Sequence, residues 1–112
     1  MTTSRDHLIP GTLNLLVLKA VSARPLHGYG ITKWIVDRTE DVLRVEEGVL
    51  YPALHRLEKD GSLEAEWGIN DTGRRAKFYT LTPSGAERLR TDVERWRRTS
   101  RAVEIVIAAE GA

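Results

Sequence analysis

The apolar residues in the first third of the chain recur at spacings that predict two helices. The first helix begins at about Pro10, because proline is favoured in the first helical turn, and it ends before Pro25. It has almost no polar face, so we expect it to be buried on more than one side. Its apolar residues are Leu13, Leu15, Leu16, Val17, Leu18, Ala20 and Val21. The second helix spans about residues 28–38 and carries one narrow apolar stripe.

A third helix is predicted over about residues 47–60. Leu50, Leu54 and Leu57 recur there at positions i, i+4 and i+7, so they share one face. Pro52 conflicts with a much earlier start, because the missing N–H of a proline is harmless only in the first turn. The pattern therefore leaves open where this helix starts and whether it is kinked at the proline.

Beyond the third helix the hydrophobic pattern changes from helical to alternating. Residues 63–67 alternate between apolar side chains and glutamates, which predicts a half-buried strand, and residues 77–81 form its partner. The glycine-rich polar segment between them is typical of a long hairpin tip, with Arg74 and Arg75 on the returning limb.

The last predicted helix carries apolar residues at heptad spacing. Thr82 is its N-cap and Pro83 its first residue, with Ser84 and Glu87 as a competing capping box, and it extends to about Ala109. Its seam positions are Ala86, Leu89, Val93, Trp96, Ser100, Val103 and Ile107. At 1.5 Å per residue the helix is ~40 Å long, which is more than so small a domain covers. The seam therefore requires a partner, and a twofold dimer is the commonest solution.

Composition narrows the class of protein. The chain has 112 residues, 41% of them hydrophobic and 29% charged, which fits one folded domain. It has no cysteine, which excludes disulfides and thiolate chemistry. The cytoplasm is therefore the expected location. No apolar run approaches the ~20 residues that a bilayer requires, so we expect no membrane span or signal peptide. His7, His27 and His55 lack metal-ligand spacing, and we expect neither a metal, a cofactor nor catalysis.

The net charge of +1 conceals a strong charge pattern along the chain. Residues 37–71 carry four cations and ten anions, whereas residues 74–101 carry nine cations and three anions. Because nucleic-acid-binding surfaces are usually basic, any such surface should draw mainly on the second of these segments. The acidic segment should make non-specific binding modest and readily lost with added salt.

Three helices, a hairpin with a basic tip and a projecting apolar helix together predict a winged helix-turn-helix: an α+β fold, mainly α. Residues 1–82 would form the DNA-binding domain, and residues 83–112 the dimerisation helix packed with the N-terminal helix. A helix fits the major groove, and a loop with arginines lies well along phosphates. Taken singly, the basic tip and the outer face of the third helix are more often ordinary solvated surface. The order of the elements, with the basic loop directly after the third helix, favours DNA binding over an ordinary solvated surface.

Four stretches of the chain resemble the PadR family of bacterial transcriptional regulators. They are His-Gly-Tyr at 27–29, Gly-Val-Leu-Tyr-Pro-Ala-Leu-His-Arg-Leu-Glu at 48–58, Lys-Phe-Tyr at 77–79 and Leu-Thr-Pro-Ser-Gly at 81–85. The likeness covers about residues 8–100 and is closest to the smaller subfamily with a single short C-terminal helix. It implies a homodimeric repressor of the bacterial cytoplasm, whose third helix reads double-stranded DNA and whose last helix packs with the first helix of the other subunit.

The resemblance also implies site residues. By position, the DNA-binding residues are Tyr51, Pro52, His55 and Arg56 on the recognition helix and Arg74, Arg75 and Lys77 on the wing. The dimerisation residues follow instead from the heptad seam, and they are Leu89, Val93, Trp96, Val103 and Ile107. Some members of the family bind flat aromatic effectors near the dimer centre. A similar pocket here would involve Leu15, Val93 and Trp96, although interface packing is the simpler role for this tryptophan.

Several residues admit two interpretations. Glu46 and Glu47 can cap the third helix or accept a hydrogen bond from a cytosine amino group, and capping is favoured because it needs only local structure. Packing is favoured for Tyr29 and a DNA contact for Tyr51. The main alternative function is a winged-helix protein-interaction module that does not bind DNA, and a third is a coiled-coil scaffold.

Overall fold

The computed structural model describes residues 11–111. In chain order the elements are α1 (Thr12–Ala20), α2 (Gly28–Arg38), α3 (Glu47–Lys59), β1 (Leu63–Ile69), β2 (Arg75–Leu81) and α4 (Pro83–Ala108). The mainly helical α+β fold is therefore confirmed, with each predicted helix and strand in its expected place. The start predicted at Pro10 lies outside the described residues.

The core lies where α1, α2 and α3 meet the base of the hairpin. Its fully buried side chains are Val17, Leu18, Ile31, Ile35, Leu50, Leu54, Leu57 and Leu63. α1 packs against α2, α3 and α4, which confirms that this nearly all-apolar helix is buried on more than one side.

A short backbone pairing extends the hairpin. β1 and β2 are antiparallel, with Leu63 opposite Leu81 and Ile69 opposite Arg75. On the other edge of β2, the N–H of Leu26 donates to the carbonyl of Tyr79, and the carbonyl of Leu26 accepts the reverse bond, at N···O distances of 3.2 and 2.9 Å. The sequence predicted only two strands, because a single paired residue produces no alternation. This pairing anchors the start of α2 to the β1–β2 hairpin, which is the wing.

α3 begins five residues before its proline. The helix starts at Glu47 and contains Pro52, so the early start is the correct alternative. The cap favoured for Glu46 is wrong: this residue occupies the N-cap position, but its side chain accepts no backbone N–H. Glu47 lies in the first turn, where its charge favours the helix dipole.

α4 starts with the predicted cap. The Thr82 hydroxyl oxygen accepts the N–H of Gly85 at 2.9 Å, so the competing capping box is not used. The same hydroxyl donates to the carbonyl of Gly61 at 2.6 Å, in the turn that follows α3. Gly85 lies against that turn so closely that a Cβ would be 2.0 Å from the Ser62 carbonyl oxygen. Residues 101–108 then extend beyond the domain with every side chain exposed, as the predicted helix length requires.

We expect Thr82→Ala to lower the free energy of unfolding by about 1–2 kcal/mol, because it removes a helix cap and a buried hydrogen bond to the preceding turn. Thr82→Ser keeps the hydroxyl and should lose much less. Urea denaturation at one fixed protein concentration measures both changes. Equal losses for the two variants would contradict the capping role.

Candidate nucleic-acid interface

The face of α3 opposite its buried leucines is exposed along its whole length. Its exposed residues are Gly48, Tyr51, Pro52, His55, Arg56 and Lys59. The four predicted α3 residues therefore lie together on one accessible surface. Lys59 was absent from the predicted site, although it lies one helical turn beyond His55 on the same face.

Tyr51 has a packing contact as well as an exposed edge. The residue is 45% exposed. Its ring lies across the start of α2, where a Cβ at Gly28 would be 2.4 Å from the phenol oxygen. The absence of a side chain at Gly28 thus lets α3 approach α2 at this point. Tyr51 therefore packs within the subunit and keeps an exposed edge, and its contact with DNA stays a prediction.

The two adjacent arginines of the wing have different surroundings. The guanidinium of Arg75 lies over the ring of Trp67, 4.6 Å from its centroid, in a cation–π contact. Arg74 immediately precedes β2 and donates its backbone N–H to the side-chain oxygen of Asn70 at 2.9 Å. Trp67 is 56% exposed, and sequence reasoning did not place it in the site. The signal was available, since it occupies a strand position diagonal to Arg75.

Lys77 differs from the other predicted wing residues because it faces α3. Its Nζ lies 3.1 Å from Oε1 of Glu58, a residue of α3. The hydrogen bond to that carboxylate raises the pKa of Lys77 above its ordinary value. Lys77 therefore joins the wing to α3, and its charge is already partly neutralised. Among residues 11–111, neither Arg74 nor Arg75 forms such an ion pair.

The charge of the exposed α3 surface changes along the helix. Glu46 and Glu47 lie at its start, whereas Arg56 and Lys59 lie in its last turn, each with an exposed side chain. A polyanion would be repelled at the first end and attracted at the second.

A cleft of about 220 Å³ lies between α1 and α4. Leu15 and Trp96 of the predicted effector pocket line it, together with polar side chains that include Asn14 and Arg95. Val93, the third predicted pocket residue, is half-buried but does not line the cleft.

The heptad seam of α4 divides into a covered part and an uncovered part. Leu89 and Val93 are half-buried on the domain, whereas Trp96, Val103 and Ile107 are 36%, 51% and 69% exposed. Ile105 and Val106 extend the uncovered apolar surface.

Between residues 11 and 111, no cluster of three or more potential side-chain ligands could hold a metal ion. None of the helices in that range is long and apolar enough to cross a membrane.

Comparisons of the sequence and of the structure with known proteins indicate the same family. The transcriptional regulator PadR-like family matches residues 17–91. A transcriptional regulator of Mycobacterium tuberculosis is 36% identical over 80 residues, which cover 71% of each chain. The structure is similar to a PadR-like transcriptional regulator from Bacillus cereus (TM-score 0.76, 26% identity, 89% of this chain and 95% of that one). It is also similar to a transcriptional regulator from Clostridium thermocellum (TM-score 0.76, 29% identity, 84% and 91%).

We expect Gly28→Ala to destabilise the protein by about 1–3 kcal/mol, because the added methyl would overlap the Tyr51 ring. In a Tyr51→Ala background the same change should cost far less, since the space is then open. Chemical denaturation of the two single variants and the double variant gives the coupling free energy. A cost that is the same in both backgrounds would contradict the proposed packing of Tyr51 on α2.

Proposed function

The chain belongs to the PadR-like family of transcriptional regulators, and we propose that it acts as a homodimeric, sequence-specific DNA-binding repressor in the cytoplasm. It is a regulator and not an enzyme. One observation carries the DNA-binding proposal: the exposed face of α3 and the wing arginines are free of ion pairs with other described residues.

Each subunit would place α3 in the major groove, with the wing along the adjacent backbone. In this arrangement Tyr51, Pro52, His55 and Arg56 meet the groove, and Arg74 and Arg75 meet phosphates. Lys77 contributes less because its ammonium group is engaged by Glu58.

The dimer would form along α4, with residues 83–112 as the dimerisation segment and residues 1–82 as the DNA-binding domain. The uncovered apolar end of α4 supports this proposal, because burial of Val103 and Ile107 in a second copy removes apolar surface from water. Leu89 and Val93 would bridge between the domain and the interface. A twofold dimer predicts a palindromic operator with half-sites about one helical turn, or a multiple of it, apart.

A small aromatic effector would bind beside Trp96. The cleft between α1 and α4 supports this proposal, since it pairs an aromatic ring with a few polar groups, as ligand sites commonly do. Binding there would change the separation of the two α3 helices through α4 and so release the operator.

We expect Arg74→Ala and Arg75→Ala each to reduce the slope of log affinity against log salt by about 1, on specific and unrelated duplexes alike. Lys77→Ala should change the slope less, because Glu58 already balances its charge. Fluorescence anisotropy with a labelled duplex from upstream of the gene gives the slopes, and Arg98→Ala on α4 is the control. If the unaltered protein shifts no duplex at micromolar concentration and low salt, DNA binding is wrong and the protein-interaction module is favoured.

We expect Trp96→Asp to abolish the dimer, because it places a charge on the seam where α4 would meet its partner. Thr91→Asp adds the same charge to an exposed position on the opposite side of α4 and should leave the dimer intact. Sedimentation velocity over a range of concentrations distinguishes the two variants. A Trp96→Asp protein that remains dimeric would overturn the seam, whereas a dimer that never binds DNA would favour the coiled-coil scaffold.

A further inference from the structure

Gly48 is a glycine that the fold itself does not require. Four of the nine glycines have positive φ, and they are Gly11, Gly61, Gly73 and Gly111. Three more are closed in by neighbours, since a Cβ at Gly28, Gly68 or Gly85 would lie only 2.0–3.1 Å from another non-hydrogen atom. A Cβ at Gly30 would make ordinary contacts at 3.4 Å or more. At Gly48 a Cβ would meet nothing within 4 Å among residues 11–111, and the backbone is helical.

A glycine in an exposed helical turn destabilises the helix relative to alanine. At Gly48 neither packing nor backbone conformation offsets that loss within the subunit. Gly48 lies on the outer face of α3. Pro52, one turn later, and His55, two turns later, lie on the same face. Any requirement for a residue without a side chain at this position would therefore come from outside the subunit, at the surface assigned above to DNA.

The groups around Gly48 indicate which part of the duplex approaches it. Glu46 and Glu47 are exposed beside it, and their carboxylates would repel a phosphate. Pro52 has no N–H, so the α-helical hydrogen bond to the Gly48 carbonyl cannot form. A surface of acceptors complements the amino groups of cytosine and adenine in the major groove.

We propose that Gly48 is a specificity-determining residue, whose missing side chain lets α3 lie in van der Waals contact with base edges on the floor of the major groove. The proposal rests on the DNA-binding function proposed above and deepens it. The long side chain of Lys59 lies in the last turn, at the other end of α3, where it would reach the phosphate backbone of the duplex. α3 therefore enters the groove obliquely, with the end that bears Gly48 deepest.

The test compares Gly48→Ala and Gly48→Leu with the unaltered protein, with Gly30→Ala as the matched helical control. The probes are the duplex protected in a footprint of the upstream region and an unrelated duplex of equal length. Gly48→Ala should weaken binding to the footprinted duplex about tenfold, and leucine should weaken it more. Binding to the unrelated duplex and the salt slope should change little, because no phosphate contact is lost. Gly30→Ala should leave both affinities unchanged.

Thermal melting separates this role from an effect on folding. The melting temperature of Gly48→Ala should not fall, since the methyl group enters open space. A fall that disappears in a Pro52→Ala background would mean that the glycine only accommodates the proline ring, and the proposal would be wrong. It would also be wrong if leucine left the affinity for the footprinted duplex unchanged, or if both duplexes lost affinity equally. Failure of the unaltered protein to bind any duplex would instead overturn the proposed function.

Discussion

The contact between the start of α4 and the turn that ends α3 sets the geometry of the whole subunit. The Thr82 hydroxyl joins the cap of α4 to the carbonyl of Gly61, and Gly85 lies against the carbonyl of Ser62. An ion pair between Arg88 and Asp60, at 2.7 Å, closes the outer side of the same contact. Because these partners directly follow α3, the direction of α4 is set relative to that helix by buried hydrogen bonds. The start of α4 is therefore tied directly to the end of α3, and not only through the hairpin.

α1 links this contact to the apolar surface of α4. One side of α1 contributes Val17 and Leu18 to the core, while Leu15 lines the cleft against α4. Trp96 also lines that cleft, near the point where the covered part of α4 gives way to the uncovered part. A molecule bound in the cleft would contact both α1 and α4. Its binding would therefore be able to change the direction of α4 relative to the rest of the subunit.

Sequence periodicity predicted the elements well and their mutual contacts less well. The helices and strands follow from local spacing and from residues such as Thr82, whose capping partner is three residues away. Pro52 left the start of α3 open, because the leucine packing that stabilises the helix across the missing hydrogen bond is tertiary. Likewise, the engagement of Lys77 depends on Glu58, which lies nineteen residues earlier, and the strand pairing of Leu26 involves one residue only. Local patterns contain no signal for such contacts.

In the wing, strand geometry separates basic residues that are neighbours in the sequence. Arg74, Arg75 and Lys77 form one basic run, yet successive strand residues point to opposite faces. Arg75 and Lys77 share the face that carries Trp67, where one is stacked on the indole and the other is bound to α3. Arg74 belongs to the tip ordered by Asn70. The wing therefore presents two guanidinium groups in different settings. That of Arg75 is stacked on the indole, whereas that of Arg74 has no aromatic or carboxylate contact within the described chain. Such an arrangement suits contact with two different phosphates better than a single clamp on one.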